Sequence, residues 1–267
     1  MDRQLVIICL LTVVIHLIGT LAYAARIAGV RTRRIAMSFA LFNALVLVSR
    51  LSNGFLAPLI AKRVENALAD EASAHLLLDF RVMIAASTVG VIVGVLLVPS
   101  TQRVFAKVIE QMREKKSLAR LALRTATPAG LRTLRDAATL PGKAHLTNLR
   151  RPKSVGWGIL GANCVAQAIL VTGVLASIYA GYLNPEYRVT ASQLSALING
   201  FATILLFLVI DPQLSMLTDD VVDGQVSEPA YRQAIVWISG SRLMGTLLAQ
   251  ALFVPAALAI AWVANTL

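Results

Sequence analysis

Residues 35–60, IAMSFALFNALVLVSRLSNGFLAPLI, run for twenty-six positions with Arg50 as their only charged side chain. A helix needs about 20 mostly apolar residues to cross a hydrocarbon core of about 30 Å, and this run exceeds that length. Arg31, Arg33 and Arg34 stand immediately before it, a basic edge of the kind that is retained in the cytoplasm. The stretch therefore reads as a membrane span that carries a cation inside it.

Comparable apolar stretches occur at roughly 4 to 25, 82 to 99, 155 to 183, 193 to 216 and 234 to 264. With 57% of its residues hydrophobic and 15% charged, the chain exceeds what a soluble core requires, and lipid is its expected solvent. The fold class is all-α, a polytopic membrane protein with six transmembrane helices. The third stretch is the shortest and is expected to stop at Pro99, whereas the fourth and sixth are long enough to tilt. Ala22-Tyr23-Ala24 offers a small-x-small site to a signal peptidase. The long apolar run interrupted by His16 and the lack of net charge at Asp2 and Arg3 favour a retained span, with Arg26 and the arginines after it as a stop signal. Cys9 and Cys164 both lie in apolar runs and do not form a disulfide framework.

Charge in the connections sets the expected orientation. The stretch from Ser100 to Lys153 holds thirteen Lys or Arg against Glu110, Glu114 and Asp136, and so carries +10 of the chain's +11. Short basic connections stay inside, which puts the N-terminus and the C-terminus outside. The domain organisation is then a three-helix membrane half over 1–99, a basic cytoplasmic connection over 100–153, and a second three-helix half over 154–267. Within the connection, Val104, Phe105, Val108, Ile109 and Met112 recur at helical spacing. Thr127-Pro128 then opens a second apolar stripe that Pro141-Gly142 ends. Two basic amphipathic helices on the inner leaflet are expected, with anionic membrane lipids rather than nucleic acid as partner, because no aromatic stacking platform accompanies the charge. Three spans on each side of the connection would make any internal repeat a 3+3 inverted one. A faint echo supports it: Tyr23 precedes Asn43 by the interval that separates Tyr179 from Asn199.

A charge at the bilayer centre costs at least about 2.5–3.5 kcal/mol, so polar groups inside the spans face protein or water. Arg50 lies roughly 22 Å into its helix at about 1.5 Å per residue, with Asn43 and Asn53 placed on its face. It is a candidate substrate contact, a structural partner of a carboxylate, or a group that snorkels outward. Arg242 shares a stripe with Ser239, Thr246 and Gln250, and either pairs with Asp211 or meets a substrate. Thr12, His16, Thr20 and Tyr23 form a stripe on the first span, and His16 sits near mid-depth, where small shifts decide its charge. Asn163 with Gln167, and Asn199 with Thr203, line the fourth and fifth spans, where amides also serve simply to hold helices together. His16 and Asp211 are candidates for coupling to protons. The sum is a hydrated, positively polarised cavity suited to an anion, and guanidinium groups match phosphate oxygens.

Catalytic patterns are scarce. The three histidines lack metal-ligand spacing, and neither a phosphate-binding glycine loop nor a Gly-x-Ser-x-Gly elbow occurs. No cofactor is implied. Asp219, Asp220 and Asp223 form one Asp-Asp-x-x-Asp cluster, which either holds magnesium against a prenyl pyrophosphate or is a solvated cap between two spans.

The strings His16-Leu-Ile-Gly-Thr-Leu-Ala-Tyr23, Arg26-Ile-Ala-Gly-Val-Arg-Thr32, Ser49-Arg50-Leu-Ser-Asn53, Asn199-Gly-Phe-Ala-Thr-Ile-Leu-Leu206, Asp211-Pro212 and Leu217-Thr-Asp-Asp220 together resemble the Amj family of bacterial lipid II flippases, small membrane proteins that can substitute for the larger flippase MurJ. The likeness covers most of the chain. It implies translocation of lipid II, the undecaprenyl-pyrophosphate-linked peptidoglycan precursor, from the inner to the outer leaflet of the bacterial cell membrane, with no hydrolytic site. Arg50 and Arg242 are the expected pyrophosphate contacts, and His16, Asn43, Asn53, Asn163, Gln167 and Asn199 the expected polar lining. The head group is large for six helices, so a homodimer would widen the path. An intramembrane enzyme acting on a prenyl pyrophosphate through the aspartate cluster is the alternative.

Overall fold

The computed structural model of the chain describes residues 2–69, 75–115 and 155–267. Among the described residues six helices are long and apolar enough to cross a membrane. They comprise α1 (Arg3–Thr32), α2 (Ile35–Ala69), α3 (Leu76–Lys115) and α4 (Trp157–Leu183), then a fifth span built from α5 (Arg188–Leu205), a π-helical turn (Leu206–Ile210) and α6 (Asp211–Val222), and finally α7 (Glu228–Thr266). Among the described residues there is no strand. Helices are the open-ended solution in lipid because each satisfies its own backbone groups.

Small residues decide which helices meet. Gly90 and Gly94 lie one turn apart on α3, and a Cβ would stand 2.5 Å from the Val13 carbonyl oxygen at the first and 2.6 Å from Thr20 Cβ at the second. On α7, a Cβ at Gly245 would come within 2.5 Å of the Cys164 carbonyl oxygen of α4. Where hydrophobicity cannot drive helices together, such close approach maximises dispersion contact. Hence α1 packs mainly on α3 and α2, and α4 mainly on α7 and α5. Helix α4 is the most buried span, while α2 and the fifth span are the most exposed. Leu47, Leu51 and Phe55 of α2 and Phe201, Ile204 and Leu208 of the fifth span show large apolar surfaces outward, as lipid contact requires.

The apolar core is divided in two. Toward the basic end, Ala25, Ile27, Phe42, Leu160, Ile210, Tyr231 and Ile235 form one block. Toward the opposite end, Ile8, Ile60, Phe80, Met83, Tyr179 and Phe253 form the other, with Phe80 stacked on Phe253 at 5.4 Å and edge-on to Tyr179 at 5.3 Å. Trp157 and Trp237 meet edge to face at 5.9 Å near the basic end, and Trp262 is exposed near the other. Trp237 and Trp262 are about 37 Å apart along α7 at about 1.5 Å per residue, a spacing suited to the two headgroup regions that tryptophan prefers.

Three expectations are corrected. The third span does not stop at Pro99: α3 continues through it to Lys115. Proline forfeits one intrahelical bond, but tertiary packing on both sides holds the helix, since Gln102, Val104 and Ile109 beyond it are buried. The apolar stripe starting at Val104 is consequently not a separate helix on the leaflet. It extends the third span and packs Ile109 into the core of the basic end. The second expected amphipathic helix, over 127–142, lies outside the described residues. Finally, Arg26 does not mark the end of the first span, because α1 runs to Thr32. The α1–α2 turn consists of Arg33 and Arg34. Arg33 adopts φ 52°, and the amide of Arg34 donates to the Gly29 carbonyl at 3.0 Å, closing the helix.

Candidate functional site

Between the two apolar blocks lies a cavity of about 100 Å³, lined among others by His16, Gly19, Tyr23, Ser49, Arg50, Asn53, Gln167, Asp211 and Arg242. Helices α1, α2, α4 and α7 and the π turn all contribute to its wall. Of the residues singled out from sequence, it therefore brings together His16, Arg50, Asn53, Gln167, Asp211 and Arg242.

Three others lie elsewhere. Asn43 is exposed on α2. With about 100° per residue, the cavity-lining positions Phe42, Val46, Ser49 and Asn53 centre on one direction, and Arg50 stands at the edge of that face. Asn43 stands about 20° further round, and its short side chain, unlike that of Arg50, does not reach back. Asn163 is buried between α4 and α7, where its amide nitrogen donates to the Ile238 carbonyl at 3.0 Å and to Ser241 Oγ at 2.7 Å. Asn199 packs its Oδ1 against Gly173, where a Cβ would approach to 2.5 Å, and so belongs to the α4–α5 seam. Gln250 also leaves the Arg242 stripe: its Nε2 donates to the Arg81 carbonyl at 2.9 Å, and Arg81 returns a hydrogen bond to the Gln250 carbonyl.

The charges are arranged differently from the expected Arg242–Asp211 pair. Asp211 pairs with Arg26 at 3.0 Å. Arg26 is 3% exposed, approaches Ser215 Oγ at 3.5 Å and sits over the Phe42 ring at 4.3 Å. An arginine so fully withdrawn from water requires its counter-ion and the ring face together. Pro212 explains why Asp211 is presented here. Proline has no N–H to donate one turn back, and the chain widens just ahead of it into the π turn, where the Asp211 amide donates to the Leu206 carbonyl.

Arg242 occupies the space above Gly19, where a Cβ would lie 2.7 Å from its Nη2 and 3.3 Å from Ser49 Oγ. It shares the cavity wall with Tyr23, and its Nε is buried without a partner. Arg50 reaches from α2 across to Thr203 Oγ1 of α5 and lies 5.3 Å from the Phe207 ring centre. Among the described residues neither Arg50 nor Arg242 forms an ion pair. Arg26 and Asp211 neutralise each other, so among the described residues the site carries two arginines without an ion-pair partner.

Sequence reasoning missed Arg26 and Ser49 as parts of this arrangement, and it named Thr203 beside Asn199 but not as the partner of Arg50. One signal for Arg26 was present: His16, Gly19, Tyr23 and Arg26 follow each other at intervals of three, four and three, one continuous helical face.

Two further polar groupings lie away from the cavity. At the end opposite the basic connection, Arg63 of α2 binds Asp2 at 2.7 Å and Asp79 of α3 at 2.6 Å, tying three helix ends together. The Leu5 amide and Arg63 hold the Asp2 carboxyl below its ordinary value. Asp219 and Asp223 are exposed and Asp220 half-buried where α6 ends. Among the described residues no group of three or more side chains is placed to hold a metal ion.

The Amj family, described as Alternate to MurJ, matches residues 11–264 of the chain. The chain is 36% identical over 261 residues to a curated relative from Bacillus subtilis (strain 168), "Lipid II flippase Amj", a match that covers 97% of this chain and 96% of the relative. No solved structure matches it significantly.

Proposed function

The chain belongs to the Amj family, and from that membership we propose that it is a lipid II flippase, which carries the diphosphate-linked precursor across the membrane without breaking a covalent bond. The observation that carries this reading is the charge of the cavity. A diphosphate diester bears two negative charges, and the cavity offers two arginines, Arg50 and Arg242, that form no ion pair among the described residues. An ordinary phosphodiester lipid would leave one of them unmatched. Guanidinium groups in a low-dielectric site bind phosphate oxygens with directional, charge-assisted hydrogen bonds.

With the basic connection in the cytoplasm of a bacterial cell, both termini lie outside, and Arg242 and the basic rim capture the diphosphate from the inner leaflet. Anionic head groups hold the connection there. Arg50 bridges α2 and α5, the two helices most open to lipid, so a prenyl chain stays in the hydrocarbon while the diphosphate sits behind Arg50 and Phe207. At about 100 Å³ the cavity is smaller than the roughly 300–1,000 Å³ of sites that enclose drug-sized ligands. The helices therefore part further to admit the head group, and the block of Phe80, Tyr179 and Phe253 lies toward the far side. Rocking of the two halves about the cavity opens either side. The halves pack alike, α1 on α3 and α2 as α4 on α7 and α5. Tyr23 and Tyr179 fall in opposite core blocks, which supports an inverted 3+3 repeat. His16 and Asp211 are the groups through which a proton gradient would act, and transport unchanged after collapse of both potential and pH gradient would exclude that role. A second copy of the chain would widen the path for the peptide.

The test is to deplete the resident flippase of a bacterium that carries this gene and to measure lipid II on the outer face. Exposure that persists with the intact gene, and falls at least tenfold with Arg50→Gln or Arg242→Gln at equal protein level, is the expected result. No exposure with the intact gene overturns the reading. Exposure unaffected by both substitutions overturns the assigned site.

A further inference from the structure

At one end of the cavity the cationic lining gives way to neutral groups. Gln167 is 2% exposed with its Nε2 unpartnered, and the Nδ1 of His16 is likewise buried without a partner. Asn53 stands beside them on the same wall. A buried polar group left unsatisfied destabilises a fold, so two of them on one cavity point to a ligand that meets them.

His16 and Asn53 are shared with a second chamber of about 20 Å³, and its remaining walls include the apolar side chains of Leu56, Ile60 and Met83. Thr12 and Ser87 also reach this chamber, but their hydroxyls already donate to the Ile8 and Ile84 carbonyls of their own helices at 2.8 Å and 2.6 Å. Leu170, Val171, Val174 and Leu175 complete the lining, so apolar side chains surround most of the chamber. Its dimensions suit a methyl group. Polar mouth and apolar floor together match a short acylamide.

We propose that this end of the cavity recognises the N-acyl group of the sugar joined to the diphosphate, with the amide against His16, Asn53 and Gln167 and the methyl group in the chamber floored by Ile60 and Met83. The inference rests on the diphosphate reading of Arg50 and Arg242. Chemistry supplies the order of the two subsites. In the diphosphate of a 2-acylamino sugar the acylamino group sits on the carbon next to the anomeric one, only a few bonds from the phosphate. An amide-binding end must therefore adjoin a cationic end, and in this cavity it does. A phosphodiester lipid presents no amide at that position, so the subsite adds selectivity beyond charge.

Enlarging the chamber provides the test. Binding to the purified full-length chain in nanodiscs is measured for four polyprenyl diphosphates: sugar-free, and carrying an amino sugar with an N-acetyl, N-butyryl or free amino group. The intact protein is expected to bind the N-acetyl lipid about tenfold more tightly than the other three. Ile60→Ala is expected to raise N-butyryl binding to within about twofold of N-acetyl binding while sugar-free binding stays constant. Gln167→Leu is expected to weaken N-acetyl binding by about five- to tenfold, again without change for the sugar-free lipid. If Ile60→Ala does not fold, Ile60→Val opens a smaller hole and must shift N-butyryl binding in the same direction. Equal binding of all four lipids by the intact protein overturns the proposal, as does an enlarged chamber indifferent to acyl length. Failure of the underlying reading looks different: sugar-free diphosphate would not bind, or would bind equally to Arg50→Gln and Arg242→Gln.

Discussion

Gly19→Ala separates the anchoring of Arg242 from the folding of the bundle. The added Cβ would stand 2.7 Å from Arg242 Nη2, and ordinary contact begins at 3.4 Å, so the guanidinium must withdraw by at least the difference, 0.7 Å. It is the far end of a flexible side chain; Arg242 Cζ at 3.5 Å is already in ordinary contact, and Ser49 Oγ at 3.3 Å has only about 0.1 Å to give. Alanine also favours a helix interior over glycine by about 0.5–1 kcal/mol. The variant should therefore fold with a stability within about 1 kcal/mol of the parent. Transport should suffer, because a displaced guanidinium loses its aim at the cavity and with it a charge-assisted bond to the diphosphate. A hydrogen bond to a charged group is worth about 1.5–3 kcal/mol, or roughly ten- to 150-fold in affinity. Thermal unfolding in detergent and lipid II flipping in proteoliposomes measure the two effects side by side. Gly54→Ala, where a Cβ would meet nothing within 4 Å, is the control and should leave flipping unchanged. Wild-type flipping by Gly19→Ala, or collapse of its fold, refutes the argument.

Other substitutions probe other joints. Asp211→Leu alone strands Arg26 in the core and is expected to cost about 3 kcal/mol, whereas Arg26→Leu combined with it recovers part of that loss in the same unfolding measurement. Gly90→Ala drives a methyl group into the Val13 backbone, which cannot yield as a side chain does, so it should destabilise by about 1–3 kcal/mol and lower the unfolding temperature more than Gly19→Ala. Asp219→Asn with Asp220→Asn should leave flipping within about twofold of wild type, whereas a magnesium-dependent enzyme would lose its activity in a prenyl-pyrophosphate turnover assay. Because the Asp2 carboxyl is lowered from 3.8, its contribution is complete above that value and disappears as the pH falls through the lowered one. Amide exchange at Leu5 should accelerate over that acidic range and not between pH 5 and 8.

Six helices were legible in the sequence because the length of an apolar run and the cost of a charge in lipid are local properties. The presence of buried polar chemistry was legible for the same reason: Arg50, Arg242, His16 and Gln167 stand out in any apolar run. Direction around each helix was not. In a soluble helix the polar face marks the outside, but here lipid and protein interior are equally apolar, and a helix carries little record of which face is which. Only tertiary packing therefore decided that Asn43 faces outward, that Asn163 and Asn199 hold seams, and that Asp211 meets Arg26 instead of Arg242. Packing likewise carried α3 past Pro99, because the buried surface beyond the proline outweighs its missing hydrogen bond. By itself the sequence determined the spans and their polar content; the close approaches at Gly90, Gly94, Gly245 and Gly19 decided which of those groups share a cavity.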